Sequence, residues 1–247
     1  MQNEYYKTPR LFYPQGLCIG ENIILEGAAH HYLRNVMRKE AGAVIRIFNS
    51  ASGEFAARIK DIHKKYLTLE IFERLTPPLK TNKNTPRIVL LFPPLPKDRN
   101  DILIEKAVEL GVHELQPVIC EHSSVRKLKE DRIEAQIIEA AEQCERLDIP
   151  SLHSIIPLTA ALREARFPII TALERRDAQY MSDILTTVSR ADKIGYLIGP
   201  EGGFSDSERS LLDSVPNVLP CTLGSRILRA ETAAFYGLSI IQENLMH

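Results

Sequence analysis

Apolar positions along this chain follow two rhythms, and the change falls near residue 80. Before it the rhythm has period two. Val44–Phe48 alternates around Arg46, and Phe55–Ile62 and Tyr66–Phe72 alternate as well, with a hairpin-like turn at Ser50–Gly53. Short alternating runs joined by tight turns predict a small antiparallel barrel or sandwich. One stretch departs from this. Ala28–Lys39 puts Leu33, Val36 and Met37 on one face of a helix and Arg34 and Arg38 on another. Residues 76–86, TPPLKTNKNTP, gather prolines, Thr, Asn and lysines and predict a linker.

Beyond the linker, strands alternate with helices. Arg87–Phe92 is a continuous apolar strand, and Asn100–Leu110 is a helix stopped by Gly111. Leu115–Ile119 predicts a strand and Asp131–Cys144 a helix, with Pro150 as a stop. Pro168–Leu173, Ile194–Ile198 and Val218–Leu223 predict further strands, and Ser205–Leu212 and Ala230–Leu245 helices. Fully apolar strands between helices predict an α/β domain with a largely parallel sheet covered on both faces. The expected division is a β-rich domain at 1–76, a linker at 77–86 and an α/β domain at 87–247.

Composition narrows the class. With 247 residues, 44% apolar and 26% charged, the chain can bury a core and is not disordered as a whole. Cys18, Cys120, Cys144 and Cys221 lie far apart with no CxxC pair, which argues against a disulfide scaffold or a structural zinc site. The apolar run Ile88–Leu95 is too short to cross a bilayer, and the polar start is unlike a signal peptide. A soluble cytoplasmic protein with no membrane partner and no metal is therefore expected. The net charge of −1 hides an asymmetry: residues 1–80 hold 12 Lys/Arg against 8 Asp/Glu, and the rest is acidic. A basic first third suggests a polyanion contact made there.

Candidate chemistry sits at strand ends, where open α/β sheets bind ligands. Leu197–Ser205 follows a buried strand with Gly199, Pro200, Glu201, Gly202 and Gly203, and Ser205 with Glu208 forms a capping box for the next helix. Leu223–Thr232 sets Arg226 and Arg229 around Ile227 and Leu228, a loop able to hold an apolar ring and offer cations to an acid. At Thr171–Arg176 charges begin abruptly after an apolar strand. The chain has no GxGxxG after a strand, no P-loop, no GxSxG and no HExxH. Adjacent His30 and His31 cannot share a helical face and read as packing or RNA-facing groups.

Five segments in order carry a family resemblance: HHYLRNVMR at 30–38, KAVELGV at 106–112, AAEQCER at 140–146, LIGPEGG at 197–203 and LGSRILRAET at 223–232. From about Arg10 to the last helix, the chain resembles the ribosomal RNA small subunit methyltransferase E family of the SPOUT superfamily. The resemblance implies a PUA-like RNA-binding β-barrel followed by an α/β knot, a deep trefoil that topology rules alone would exclude. It implies methylation of N3 of one uridine in 16S ribosomal RNA, on the small ribosomal subunit, by a homodimer using S-adenosyl-L-methionine.

Carried over by position, the cofactor pocket comprises Leu173 and Glu174; Ile198, Gly199, Pro200, Glu201, Gly202 and Gly203; and Leu223, Gly224, Ile227, Leu228 and Arg229. RNA contacts are expected at Arg10, Arg34, Arg38, Lys39, Lys97, Arg99 and Arg226. The sequence departs from the family pattern at Ser225, often Pro; at Ala230 and Ala233, often Thr; at Glu145, often Gly; and at His122, often Arg.

Uracil N3 carries a proton at neutral pH, so the site must accept that proton or stabilise the anion. Arg229 is the candidate cation, and Glu231 or Glu201 the candidate acceptor, although an acid at Glu231 also suits a helix N-terminus. Two alternatives stay open from sequence: a SPOUT enzyme with another RNA target, and a non-catalytic ribosome-binding adaptor. The final helix carries more apolar residues than the ~100° stripe one surface requires, which points to a second surface in the same chain or in a partner.

Overall fold

The computed structural model describes residues 5–80, 85–173 and 178–245. The chain divides into two compact units, one holding residues 1–81 and 141–149, the other 82–140 and 150–247.

The first unit is a five-stranded curled sheet made of β1 (Arg10–Phe12), β2 (Asn22–Glu26), β3 (Val44–Asn49), β4 (Gly53–Ile62) and β5 (Tyr66–Thr76). Its order is β1-β3-β4-β5-β2, antiparallel except for the β1/β3 pair. Period-two positions fill its core: Ile45 and Ile47, Phe55, Ala57 and Ile59, and Leu67, Leu69 and Ile71. Three irregularities in the β4/β5 register help the sheet to curl.

Between β2 and β3 lies α1 (Gly27–His31), which runs straight into a π-helical turn at Tyr32–Val36. The expected face of Leu33, Val36 and Met37 is therefore corrected. The N–H of Met37 donates to the carbonyl of Tyr32 at 2.9 Å, five residues back, so the turn holds an extra residue. That extra residue rotates the later side chains outward. Leu33 is fully buried, whereas Val36 is 60% and Met37 39% exposed.

The sheet's other face carries a buried ion network. Glu54 bridges Arg10 and Arg46, each at 3.2 Å. Arg10 also donates to the carbonyls of Ala141 (3.0 Å) and Arg146 (2.8 Å), and lies over the Phe48 ring. Arg46 reaches Glu145 at 2.8 Å. These bonds explain why 141–149, which the sequence reading assigned to the α/β domain, belongs with the first unit. Glu145 has a φ of +62°, a left-handed backbone that explains why glycine suits this position. Of the expected linker, Leu79 donates to the Ser50 carbonyl at 3.0 Å, while 81–84 lie outside the described residues.

The second unit contains β6 (Arg87–Phe92), α2 (Lys97–Glu109), β7 (Glu114–Ile119), α3 (Glu130–Gln143, whose last residues enter the first unit), β8 (Ser151–Leu152), β9 (Ile156–Pro157) and α4 (Leu158–Glu164). It continues with β10 (Ile169–Ala172), α5 (Met181–Val188), β11 (Lys193–Leu197), α6 (Asp206–Ser214), β12 (Val218–Cys221) and α7 (Ala230–Leu245). Of these, β8, β9, α4 and α5 are not predicted by the apolar pattern of the sequence. Their apolar patterns span seven or eight residues at most, too short to register as periodicity.

The sheet order is β12-β10-β11-β6-β7-β8, with β9 also on β7, and every pair is parallel. Val89, Leu91 and Leu197 face one layer with Leu158, Leu162 and Leu212 of α4 and α6. Tyr196 points the other way, against α7. Gly237 of α7 lies so close that a Cβ there would come within 2.3 Å of the Tyr196 hydroxyl. The chain runs from β6 out to β7, β8 and β9, then returns to β10, leaving one place that β11 fills. This order makes the carboxyl ends of β10, β11 and β12 neighbours.

Candidate functional site

Three loops leave those neighbouring strand ends and enclose a cavity of about 540 Å³. That volume falls within the range of small-molecule sites. From β10 come Ala172 and Leu173. From β11 come Ile198, Gly199, Pro200, Glu201, Gly203 and Phe204. From β12 come Leu223, Gly224, Arg226, Ile227, Leu228 and Arg229, and Ala230 and Ala233 of α7 close the wall. The expected cofactor residues thus converge, with two exceptions. Gly202 is not in the cavity wall, and Glu174 lies outside the described residues.

The glycine turn is shaped by its neighbours. Gly203 donates to the carbonyl of Pro200 at 2.8 Å and has a φ of +72°, which a branched side chain resists. A Cβ on Gly199 would stand 3.0 Å from the Phe204 ring, and one on Gly202 3.0 Å from the Cβ of His122. At Gly199 and Gly202 the room a side chain would need is thus already taken up by Phe204 and His122. Ser205 caps α6 as the sequence pattern indicates: its hydroxyl accepts from the N–H of Glu208 at 3.2 Å, and the Glu208 carboxylate accepts from the N–H of Ser205 at 2.9 Å. His122, one of the departures from the family pattern, braces the turn. Its Nδ1 donates to the carbonyl of Gly203 at 2.9 Å.

The loop after β12 adds the apolar side chains of Leu223, Ile227 and Leu228 to the wall. Ile227 is 58% exposed, a large aliphatic side chain left without cover beside the cavity. Gly224, with a φ of +109°, turns the chain from β12 into this loop.

The charged groups are not equivalent. Glu201 is ion-paired to Arg99, and Ser124 donates to its carboxylate at 3.4 Å. Arg229 lines the cavity, and among the described residues it has no ion-pair partner. Glu231 keeps one buried carboxylate oxygen, Oε2, with no hydrogen-bond partner among the described residues. Cys221 ends β12 close by, and burial pushes its thiol up to about 12, so it stays protonated and is no nucleophile.

The expected RNA contacts scatter. Arg99 and Arg226 line the cavity, and Lys97 stands exposed at the start of α2. Arg34 is exposed and donates to the carbonyls of His63 and Lys64 at 3.1 and 3.2 Å. Arg38 is exposed and has a φ of +50°, and Lys39 is half-buried. Arg10 is a correction. It is 6% exposed, and three of its five N–H donors go to Glu54 and two backbone carbonyls, so the guanidinium is buried in the unit rather than presented to a phosphate. The spacing of the strand pattern gave no sign of this, because an arginine in a basic segment looks solvated until its partners are known. His30 packs inward, within 3.0 Å of the His63 carbonyl. Among the described residues no helix is long and apolar enough to cross a membrane.

Known proteins share this arrangement. A family model described as an RNA methyltransferase domain matches residues 82–242, and one described as an RNA methyltransferase PUA domain matches 25–72. The ribosomal RNA small subunit methyltransferase E of Rickettsia conorii is 31% identical over 238 residues, covering 96% of each chain. That of Bacillus subtilis is 28% identical, covering 88% of each. A crystal structure of the Neisseria gonorrhoeae ribosomal RNA small subunit methyltransferase E bound to S-adenosyl methionine superposes with a TM-score of 0.82 at 29% identity, covering 96% of this chain and 97% of that one. By its matched domains, its full-length relatives and its five ordered motifs, this chain belongs to the ribosomal RNA small subunit methyltransferase E family.

Proposed function

We propose that this chain methylates ribosomal RNA of the small subunit, at N3 of one uridine in 16S ribosomal RNA, with S-adenosyl-L-methionine as donor. The observation that carries the reading is the cavity in which both glycine-bearing motifs meet the end of β10. The relative from Neisseria gonorrhoeae was solved with S-adenosyl methionine, which supports the same donor here. The residues suit it. A turn with little room for a Cβ at Gly199 leaves backbone groups for the polar edge of an adenosine, and Leu223, Ile227 and Leu228 supply apolar surface for its base. When bound, S-adenosyl-L-methionine supplies an electrophilic methyl group on a sulfonium centre.

The chain's own residues must free the lone pair of uracil N3. Arg229 in the cavity stabilises the anion that forms when the proton leaves. Glu231, which follows the cavity-lining Arg229 and Ala230 but is not in the wall itself, is the proton acceptor of this reading; among the described residues its Oε2 has no hydrogen-bond partner. Glu201 is the poorer acceptor, because Arg99 holds its carboxylate. The basic first unit, through Arg34, Arg38 and Lys39, supplies RNA affinity, and Arg226 works at the cavity itself.

The working unit of this reading is a cytoplasmic homodimer. One face of α7 is buried within the chain through Ala234, Gly237, Leu238 and Ile241, yet Tyr236 is 51% exposed. A C2 partner covers that remainder. Mixing an Arg229→Ala chain with an Arg34/Arg38 charge-reversed chain tests it. Activity regained in the mixture supports shared sites, and a fully active monomer by light scattering refutes them.

The deciding experiment is methyl transfer from labelled S-adenosyl-L-methionine to intact small subunits, naked 16S RNA and transfer RNA, with the product nucleoside identified by mass spectrometry. N3-methyluridine in 16S RNA upholds the reading. Label in transfer RNA alone, or no binding of the donor by calorimetry, overturns it.

A further inference from the structure

A second concavity, of about 380 Å³, lies in the same unit between the segments that follow β6 and β7 and the helices α2 and α3 to which they lead. Its floor is apolar: Leu95 is 3% and Ile133 4% exposed, and Val125 and Leu128 are half-buried beside them. Its rim is cationic. Lys97, Lys127 and Lys129 all line it and all are exposed. Among the described residues none of the three is held in an ion pair, whereas the fourth cation, Arg132, is bonded to Asp101.

The two concavities belong to one row of strand ends. The first is walled by the loops after β12, β10 and β11, the second by the segments after β6 and β7, and β11 and β6 are hydrogen-bonded neighbours. The first turn of α2 joins them. Lys97 lines the second concavity, and Arg99, two residues on, lines the first.

We propose that this concavity is a second RNA subsite: it holds an unstacked base of the strand that carries the target nucleotide, with the flanking phosphates on Lys97, Lys127 and Lys129. The apolar floor gives a base a surface to leave water on, and three unpaired ammonium groups match a phosphate backbone. The strand crosses the first turn of α2 between the subsites. An acidic protein partner would also meet the lysines, but it would not explain why one turn of α2 lends Lys97 to this concavity and Arg99 to the cavity of the glycine turn. This inference rests on the proposed RNA substrate, and it adds residues that neither the glycine motifs nor the basic first third include.

The test compares the wild-type chain with a Lys97→Gln/Lys127→Gln/Lys129→Gln variant by filter binding to 16S RNA across a salt series, without donor. Single strands release about 0.7 counterion per neutralised phosphate, so the slope of log affinity against log salt should become shallower by about 2. At 0.1 M salt that corresponds to roughly 100-fold weaker binding. Donor affinity by calorimetry should stay at the wild-type value. Lys106→Gln, a lysine on the same helix already paired with Glu105 and Glu109, should leave the slope as it is. An unchanged slope in the triple variant, or an equal loss in the Lys106 control, overturns the proposal. The slope is read without methyl transfer. A chain that binds RNA through the groove yet transfers no methyl group would therefore overturn the proposed activity and leave the groove standing.

Discussion

The hydroxyl of Tyr196 donates to the carbonyl of Ala233 at 2.7 Å, joining the strand that leads into the glycine turn to the helix that follows the arginine loop. Both of those loops wall the cavity, and Ala233 is itself in the wall. Tyr196 is fully buried, and burial pushes its phenol well above the usual range, so it remains a donor throughout the working pH range. Tyr196→Phe should lower stability by about 1 kcal/mol, the worth of one buried hydrogen bond, and weaken donor binding in the folded protein. Thermal melts and calorimetry read the two effects. Gly237→Ala should cost more, because the new methyl meets the Tyr196 ring.

Gly203→Val should abolish donor binding while circular dichroism stays native. The residue has a φ of +72°, where a β-branched side chain is strained, and the turn presents backbone to the ligand. Wild-type affinity in a folded Gly203→Val protein would remove the turn from the binding site.

Arg229→Ala should lose turnover more than donor affinity, by roughly 10²–10³-fold, as for one lost donor to a developing anion. Saturating-donor kinetics on small subunits check this. A lost affinity with retained turnover would reassign Arg229 to the donor.

Charge reversal at Arg34 and Arg38 should weaken RNA binding and flatten its salt dependence by about one unit of slope per lost phosphate contact. Arg10→Ala should behave differently. It leaves Glu54 buried with less compensation, so the outcome is destabilisation by about 3–5 kcal/mol, seen in a urea melt of the full chain.

Glu114 gives the second unit an acid-sensitive clamp. Burial raises its carboxyl, but hydrogen bonds from Lys193 and His153 outweigh that and hold it below the usual carboxylate range. A carboxylate depressed in the folded state stabilises above its unfolded value of about 4.3 and loses that contribution as pH falls. Melting temperature should therefore drop more steeply below pH 5 in the wild type than in Glu114→Gln.

The sequence by itself determined the local rules. Alternation from Val44 to Phe72 marked β3, β4 and β5 of the first sheet but not β1 or β2, because a pleated strand with one buried face has period two. Continuous apolar runs marked β6 and β11, because both faces of a parallel sheet are covered. Ser205 and Glu208 marked the start of α6, since a capping box is a contact across three residues. Leu223–Arg229 and Ile198–Gly203 were legible as candidate binding loops from their composition, and both line the cavity.

Tertiary structure decided what those segments meet. The strand order β12-β10-β11 brings three loops together that are up to about fifty residues apart in sequence, and no local pattern encodes which strand fills the place beside β10. The burial of Arg10, the seating of 141–149 on the first sheet and the brace from His122 to Gly203 are long-range pairings of polar groups. Such pairings leave no periodic trace, because a polar residue has the same sequence signature whether it faces water or a buried partner. The π-helical turn at Tyr32–Val36 belongs here too: its one extra residue per turn carries Val36 and Met37 off the buried face on which a regular α-helix would have placed them.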